Sequence, residues 1–191
     1  MYRIEPTDAL VVVDPQNDFL PGGSLAVPDG NRIFDAINRL MPLFPYVVAS
    51  RDWHPRNHTY FQAYGGPWPF HCIAGSPGAQ FSPLLHAGEV DEIVSKGTDP
   101  QTDGYSAFAG TALAERLHAH GVRRIFIVGL ATDYCVKSTT LDARDAGFDA
   151  VVVTDAVAPI NVTPGDDERA FESMRARGVG FVDSHALTTA A

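Results

Sequence analysis

The chain has 191 residues, of which 45% are hydrophobic and 19% charged, and its net charge is −9. That length and composition suit one domain with a sizeable core, spanning residues 1–191, and exclude a disordered chain. The acidic balance, with no cluster of Lys and Arg to offset it, argues against nucleic acid as a partner.

The apolar runs, of which 9–13 and 125–128 are among the longest, fall far short of a bilayer span, so no membrane partner is expected. The opening "MYRIEPTDALVVVD" has no basic segment followed by an apolar signal core. The expectation is therefore a cytoplasmic protein whose two cysteines, Cys72 and Cys135, stay reduced thiols.

In chain order, "ALVVV" at 9–13 reads as a first strand. "NRIFDAINRLM" follows as a helix, with Ile33, Ile37 and Leu40 on one stripe. A second strand is expected at 46–49 and a third at 92–94. Next come the helix "TALAERLHAHG", stopping at Gly121, and a strand at 125–128. "YCVKSTTLDARDAG" reads as a helix ending at Gly147, before a strand at 151–153. "GDDERAFESMRARG" opens with acids and closes on Arg177 and Gly178, as the helix dipole favours, and a last strand lies at 180–182. The strands are rich in Val and Ile and continuous rather than alternating, the pattern of parallel strands buried on both faces. Alternating strands and helices imply a three-layer α/β/α domain.

Residues 51–91 break the alternation. This Pro- and Gly-rich connection carries Trp53, Phe61, Trp68 and Phe70, too many aromatics for a disordered segment. Connections of that length are usually functional.

Three reactive residues follow expected strands: Asp14 after "ALVVV", Lys96 just past "EIVS", and Cys135 after "IFIVGL" and a short turn. Singly they read as a turn cap, a surface charge and a small core residue. Together they point to one rim of an open sheet, where ligands bind at the carboxyl ends of strands. A helix beginning near Cys135 would aim unpaired N–H groups at its sulfur, favouring thiolate and offering an oxyanion site. In the long connection, Asp52 and His54 share one side of an extended segment. His71 and His58 are available to join them around a divalent metal, a donor set that suits zinc, manganese or iron. Cys72 reads as a buried thiol, and the two cysteines form no close redox pair.

"VVVDPQNDFLPGGSLAVPDG", "SRDWHPRNHTYF", "GGPWPFHCIAGSPGAQF", "VSKGTDPQTDGYSAFAGT" and "VGLATDYCVKSTTLDARDAGF", in order across residues 9–182, resemble the nicotinamidase/pyrazinamidase family of isochorismatase-like cysteine hydrolases. "DWHP" and "PFHC" are the specific segments, because related hydrolases generally lack the metal site. The resemblance implies a six-stranded parallel sheet in the order 3-2-1-4-5-6, with Asp14 and Cys135 meeting at the switch point.

Position by position, it implies Asp14 as general base and acid, Lys96 as catalytic lysine and Cys135 as nucleophile. It implies one divalent metal, zinc ahead of iron or manganese, on Asp52, His54 and His71, with water rather than His58 completing the shell. Phe19, Trp68 and Tyr105 would wall the pyridine ring. A cis Leu130–Ala131 peptide would shape the substrate site and an oxyanion hole made by the N–H groups of Ala131 and Cys135. The implied reaction is hydrolysis of nicotinamide to nicotinate and ammonia through a cysteine thioester, with pyrazinamide as a second substrate. Its rivals are a cysteine amidohydrolase acting on a ureido or carbamoyl substrate, and a non-catalytic metal-binding relative. The metal-loop residues count against the first, and the intact Asp14, Lys96 and Cys135 against the second.

Overall fold

In the computed structural model, which describes residues 2–189, all six apolar runs become strands. The strands are β1 (Tyr2–Ile4), β2 (Asp8–Val13), β3 (Val47–Asp52), β4 (Glu92–Lys96), β5 (Arg124–Leu130), β6 (Asp149–Ala158), β7 (Gly180–Val182) and β8 (Leu187–Thr189). The main sheet has six parallel strands in the order β4-β3-β2-β5-β6-β7, so counting only its own strands the order is 3-2-1-4-5-6. The short β1 and β8, which the apolar pattern did not reveal, pair with each other in parallel. The four helices are α1 (Phe34–Leu40), α2 (Leu113–Ala119), α3 (Lys137–Asp145) and α4 (Asp166–Ala176).

Side-chain alternation along β2 builds a core on each face of the sheet. Leu10 and Val12 join Ile37 and Leu40 of α1 on one face. Ala9, Val11 and Val13 join Leu113 and Leu117 of α2, Ala143 of α3 and Met174 of α4 on the other. Both faces are thus covered, which is why these strands carry no polar alternation.

The connection after β3 is ordered. Three 3-10 turns, at Gln62–Tyr64, Pro77–Ala79 and Ala87–Glu89, punctuate it. Isolated bridges tie His54 to Ile73, Phe61 to Trp68, and Gln16 to Phe81.

The winding reverses between β2 and β5. There Gly129 lies opposite Val13 with φ +114°, and a Cβ on it would fall within the Val13 backbone. Only glycine satisfies both the backbone angle and the close approach. Gly129→Ala is expected to destabilise the fold by about 2 kcal/mol or more, read as a lower urea midpoint at unchanged m-value.

Candidate active site

The carboxyl ends of β2, β3, β4 and β5 deliver one reactive group each. Asp14 follows β2 with φ +48° and is fully buried. Its Oδ1 accepts a 2.7 Å hydrogen bond from the Ser50 hydroxyl, and its N–H donates to the Ser50 carbonyl. Lys96 ends β4 at 1% exposure. Its Nζ lies 2.8 Å from Asp14 Oδ2 and 2.6 Å from Asp52 Oδ1. It also donates to the Gly104 carbonyl at 2.9 Å and to Cys135 Sγ at 3.4 Å.

Burial sets the protonation pattern and the charges then divide it. Burial, stronger than the opposing Lys96 charge, pushes the Asp14 carboxyl up to about 6. Burial also raises Asp52, but Lys96 and His54 outweigh it and hold that carboxyl well below the usual range. Burial opposes the Lys96 charge, yet Asp14 and Asp52 overcome it and keep the ammonium charged.

Burial, with Asp14 and Asp52 adding to it against the pull of Lys96, raises the Cys135 thiol well above its usual value. Burial thus opposes the thiolate that a helix start at Cys135 would favour. Cys135 does not stand ahead of the helix but inside its first turn, where the N–H groups of Tyr134 and Val136 are already bonded to the Ala131 carbonyl. It lies within a π-helical turn, Thr132–Val136, that runs into α3, and its sulfur is buried beside two carboxylates.

Asp52 ends β3 and faces two imidazoles, with Oδ2 3.2 Å from His54 Nε2 and 3.8 Å from His71 Nε2. His54 Nδ1 meets the Gly97 carbonyl at 2.9 Å, and His71 Nδ1 meets the Pro69 carbonyl at 2.8 Å. A carbonyl only accepts, so Nδ1 carries a hydrogen in each ring and Nε2 is the atom left facing Asp52, the one that a metal would take. Burial lowers the His54 pKa, but Asp52 outweighs it and raises it overall, so without a metal a proton is favoured between the two. Donor atoms of Asp52, His54 and His71 all lie within 4.8 Å of one another, and this carboxylate–imidazole set fits a divalent metal.

His58 stands beside that cluster, outside the set whose donor atoms lie within 4.8 Å of one another. Its ring centroid is 4.4 Å from that of His54, its Nδ1 accepts from the Tyr60 N–H, and its buried Nε2 has no partner among the described residues. Burial lowers its pKa to about 4, so the ring is neutral. Asp14, Asp52 and Cys135 also lie close enough to suggest a metal, but the Lys96 ammonium contacts all three.

Above these groups opens a narrow cleft lined by Phe19, Trp68, Tyr105, Ala131 and Cys135 together with the metal-loop residues. The Trp68 indole donates to the Tyr105 hydroxyl at 2.8 Å, and Tyr134 packs edge-on against Trp68 at 4.9 Å. The Leu130–Ala131 peptide is cis.

An isochorismatase domain matches residues 8–186. The nicotinamidase of Escherichia coli (strain K12) is 40% identical over 91% of this chain and 93% of its own. This chain belongs to the nicotinamidase/pyrazinamidase family of isochorismatase-domain proteins. Two solved family members share its fold. PnC1 from L. infantum in complex with nicotinate has a TM-score of 0.94 and 39% identity, covering 99% of both chains. The pyrazinamidase of Pyrococcus horikoshii in complex with zinc has a TM-score of 0.86 and 47% identity, covering 93% of this chain and 99% of its own.

Asp14, Lys96, Cys135, Asp52, His54 and His71 thus converge in this family member, and Phe19, Trp68, Tyr105 and Ala131 line the cleft beside them. Leu130 does not line it: at 0% exposure its side chain belongs to the core. Tyr134, Leu25, Val27 and Ile160 line the cleft without having been expected. Tyr134 was findable as the aromatic next to Cys135, whereas the three aliphatic residues look like any core residue in sequence.

Cys135 opens on the cleft, whereas Cys72 is sealed at 0% exposure and its thiol too is raised by burial. Brief iodoacetamide treatment should modify Cys135 before Cys72, as peptide mass spectrometry reads it. Because the reactive thiolate forms only as pH approaches a raised pKa, the labelling rate should still be climbing at pH 9. A plateau near neutral pH would mean a pre-formed thiolate.

Proposed function

We propose that this protein hydrolyses nicotinamide to nicotinate and ammonia, accepts pyrazinamide as a close isostere, and uses one divalent metal, zinc first. One observation carries the reading: Lys96 Nζ joins the Asp14–Cys135 pair to the Asp52 carboxylate, so nucleophile and metal ligands share one cation and one cleft. The pyridine-handling names of the relatives support the same substrate class.

Asp52, His54 and His71 are assigned to the metal, which when bound supplies a Lewis-acid site for the ring nitrogen and so orients the carboxamide. Phe19, Trp68 and Tyr105 hold the ring from its faces and edges. Asp14 accepts the Cys135 proton as the sulfur attacks the carbonyl carbon, and Lys96 balances the charge on both. The N–H groups of Ala131 and Cys135 are assigned to the oxyanion. As the tetrahedral adduct collapses, its C–N bond breaks and Asp14 returns the proton to nitrogen, releasing ammonia and leaving a thioester. Water then attacks the thioester and gives a proton to Asp14. The C–S bond breaks, the proton on Asp14 restores the thiol, and the nicotinic acid formed leaves as nicotinate after its carboxyl proton is lost to solvent or to ammonia.

Purified protein should release ammonia from nicotinamide, and Cys135→Ala should lower turnover by at least about a thousandfold while keeping the melting temperature. No ammonia from the parent protein would overturn the reading.

Asp14 acts as base only when ionised, and its carboxyl sits at about 6. The specificity constant should therefore fall as pH drops through about 6, approaching tenfold per unit below it. A profile flat to pH 4 would remove Asp14 from the base role.

Benzamide has carbon in place of the ring nitrogen. Its specificity constant should be lower by at least about tenfold, or about 1.4 kcal/mol, and metal removal should narrow that gap. Equal turnover of both amides by the metal-loaded protein would mean that the ring nitrogen is not read.

A further inference from the structure

Just past the base, residues 16–18 make contacts that the proposed chemistry does not use. Gln16 is fully buried, and its carboxamide grips the backbone of Asp52 from both sides. The Asp52 N–H donates to Gln16 Oε1 at 2.7 Å. Gln16 Nε2 donates back to the Asp52 carbonyl at 2.8 Å and to the Ala79 carbonyl at 2.9 Å. The topology explains the need. Strand β3 runs to Asp52, but its register with β2 ends at the Val12–Ala49 pair and the last backbone bond between them runs from the Asp14 N–H to the Ser50 carbonyl, where φ is +48° at Asp14. A carboxamide offers the same donor and acceptor as a peptide group, so Gln16 stands where the missing strand would pair.

Asp18 does the equivalent for the other half of the cluster. Its Oδ2 accepts a 2.7 Å hydrogen bond from the N–H of Cys72, the residue after His71, where φ is +45°. The Cys72 carbonyl in turn accepts from the His54 N–H at 3.0 Å. Gly78 packs directly on the Asp18 carboxylate, where a Cβ would collide with it. Asp52 is therefore tied at its own backbone, and His71 at its neighbour's, to side chains from the loop that carries the base, and His54 indirectly through the Cys72 carbonyl.

We propose that Gln16 and Asp18 are positioning residues for the metal site, holding Asp52, His54 and His71 in binding geometry before an ion arrives. This rests on the metal reading given above. Neither residue needs to touch the ion or the substrate. Their effect is that the ordering of the ligand backbone occurs during folding instead of at binding, which raises affinity. Outer partners of metal ligands are typically worth about 10–100-fold in affinity.

The experiment measures zinc dissociation constants of metal-stripped proteins by competition with a chromophoric chelator, alongside melting of the same stripped proteins. The variants are Gln16→Ala, Asp18→Ala, the acceptor-retaining Asp18→Asn, and Asn17→Ala. The Asn17 side chain bonds the Pro77 carbonyl on the exposed side of the same segment and serves as control. Gln16→Ala and Asp18→Ala should weaken zinc by at least about tenfold while the stripped proteins still melt cooperatively. Asp18→Asn should recover most of the loss, and Asn17→Ala should match the parent.

Parent-like zinc affinity in both alanine variants overturns the proposal and leaves the metal reading intact. Equal weakening by Asn17→Ala, or no rescue by Asp18→Asn, also overturns it, because the effect would then be general loosening of the segment. Should Gln16→Ala fail to fold, the Asp18 pair decides alone. Failure of the parent protein to bind zinc overturns the metal reading itself, and this proposal with it.

Discussion

A lysine ammonium with 1% exposure cannot stand alone in a protein interior, where losing its water costs several kcal/mol. Lys96 is kept there by two carboxylates and a carbonyl, and that constraint organises the site. Two carboxylates against one ammonium leave a surplus of negative charge in a low-dielectric pocket. The surplus favours a further cation on the side where Asp52 meets His54 and His71, the cluster whose donor atoms suit a metal. On the other side the same ammonium lies 3.4 Å from the Cys135 sulfur, where negative charge must develop when the thiol loses its proton. One buried charge thus serves two chemistries, and the two carboxylates diverge because their neighbours differ. Asp52 has imidazoles beside it and stays ionised, while Asp14 has only a hydroxyl and the shared lysine and moves up to about 6.

That arrangement is possible because the sheet is parallel and doubly wound. Four neighbouring strands, β4-β3-β2-β5, all end at the same rim, and each ends on or near a reactive residue. The sulfur must come close to Asp14, which requires β5 to pass tightly against β2, and Gly129 opposite Val13 permits that approach. The long connection after β3 then folds back over the rim and brings His71 to Asp52. Gln16 and Asp18 bond to it from the opposite loop, so base loop and metal loop form one hydrogen-bonded unit.

Several features of this fold were legible from local pattern. Apolar runs marked the strands of the main sheet, most fully β2 and β5, whose two faces are buried, and the polar residues just past β2 and at the end of β4 marked the rim. The full length of β6 was not legible. Thr154 and Asp155 interrupt its apolar run with half-exposed polar groups, although the strand continues to Ala158. The three-residue strands β1 and β8 carry exposed positions and pair across almost the whole chain, so no local signal announces them.

At the site, the sequence by itself determined which residue types stand at the strand ends, and the resemblance carried by its motifs implied that Asp52, His54 and His71 would hold a metal. Covalent spacing and strand periodicity act locally, so both can be read along the chain. Tertiary structure alone decided that the Cys135 thiol rests protonated, that Lys96 reaches Asp52 as well as Asp14, and that Leu25, Val27 and Ile160 close the cleft. Protonation depends on burial and on charges brought together from β2, β3 and β4, and cleft walls depend on which apolar side chains are left facing inwards. Both are set through space, by groups far apart in sequence.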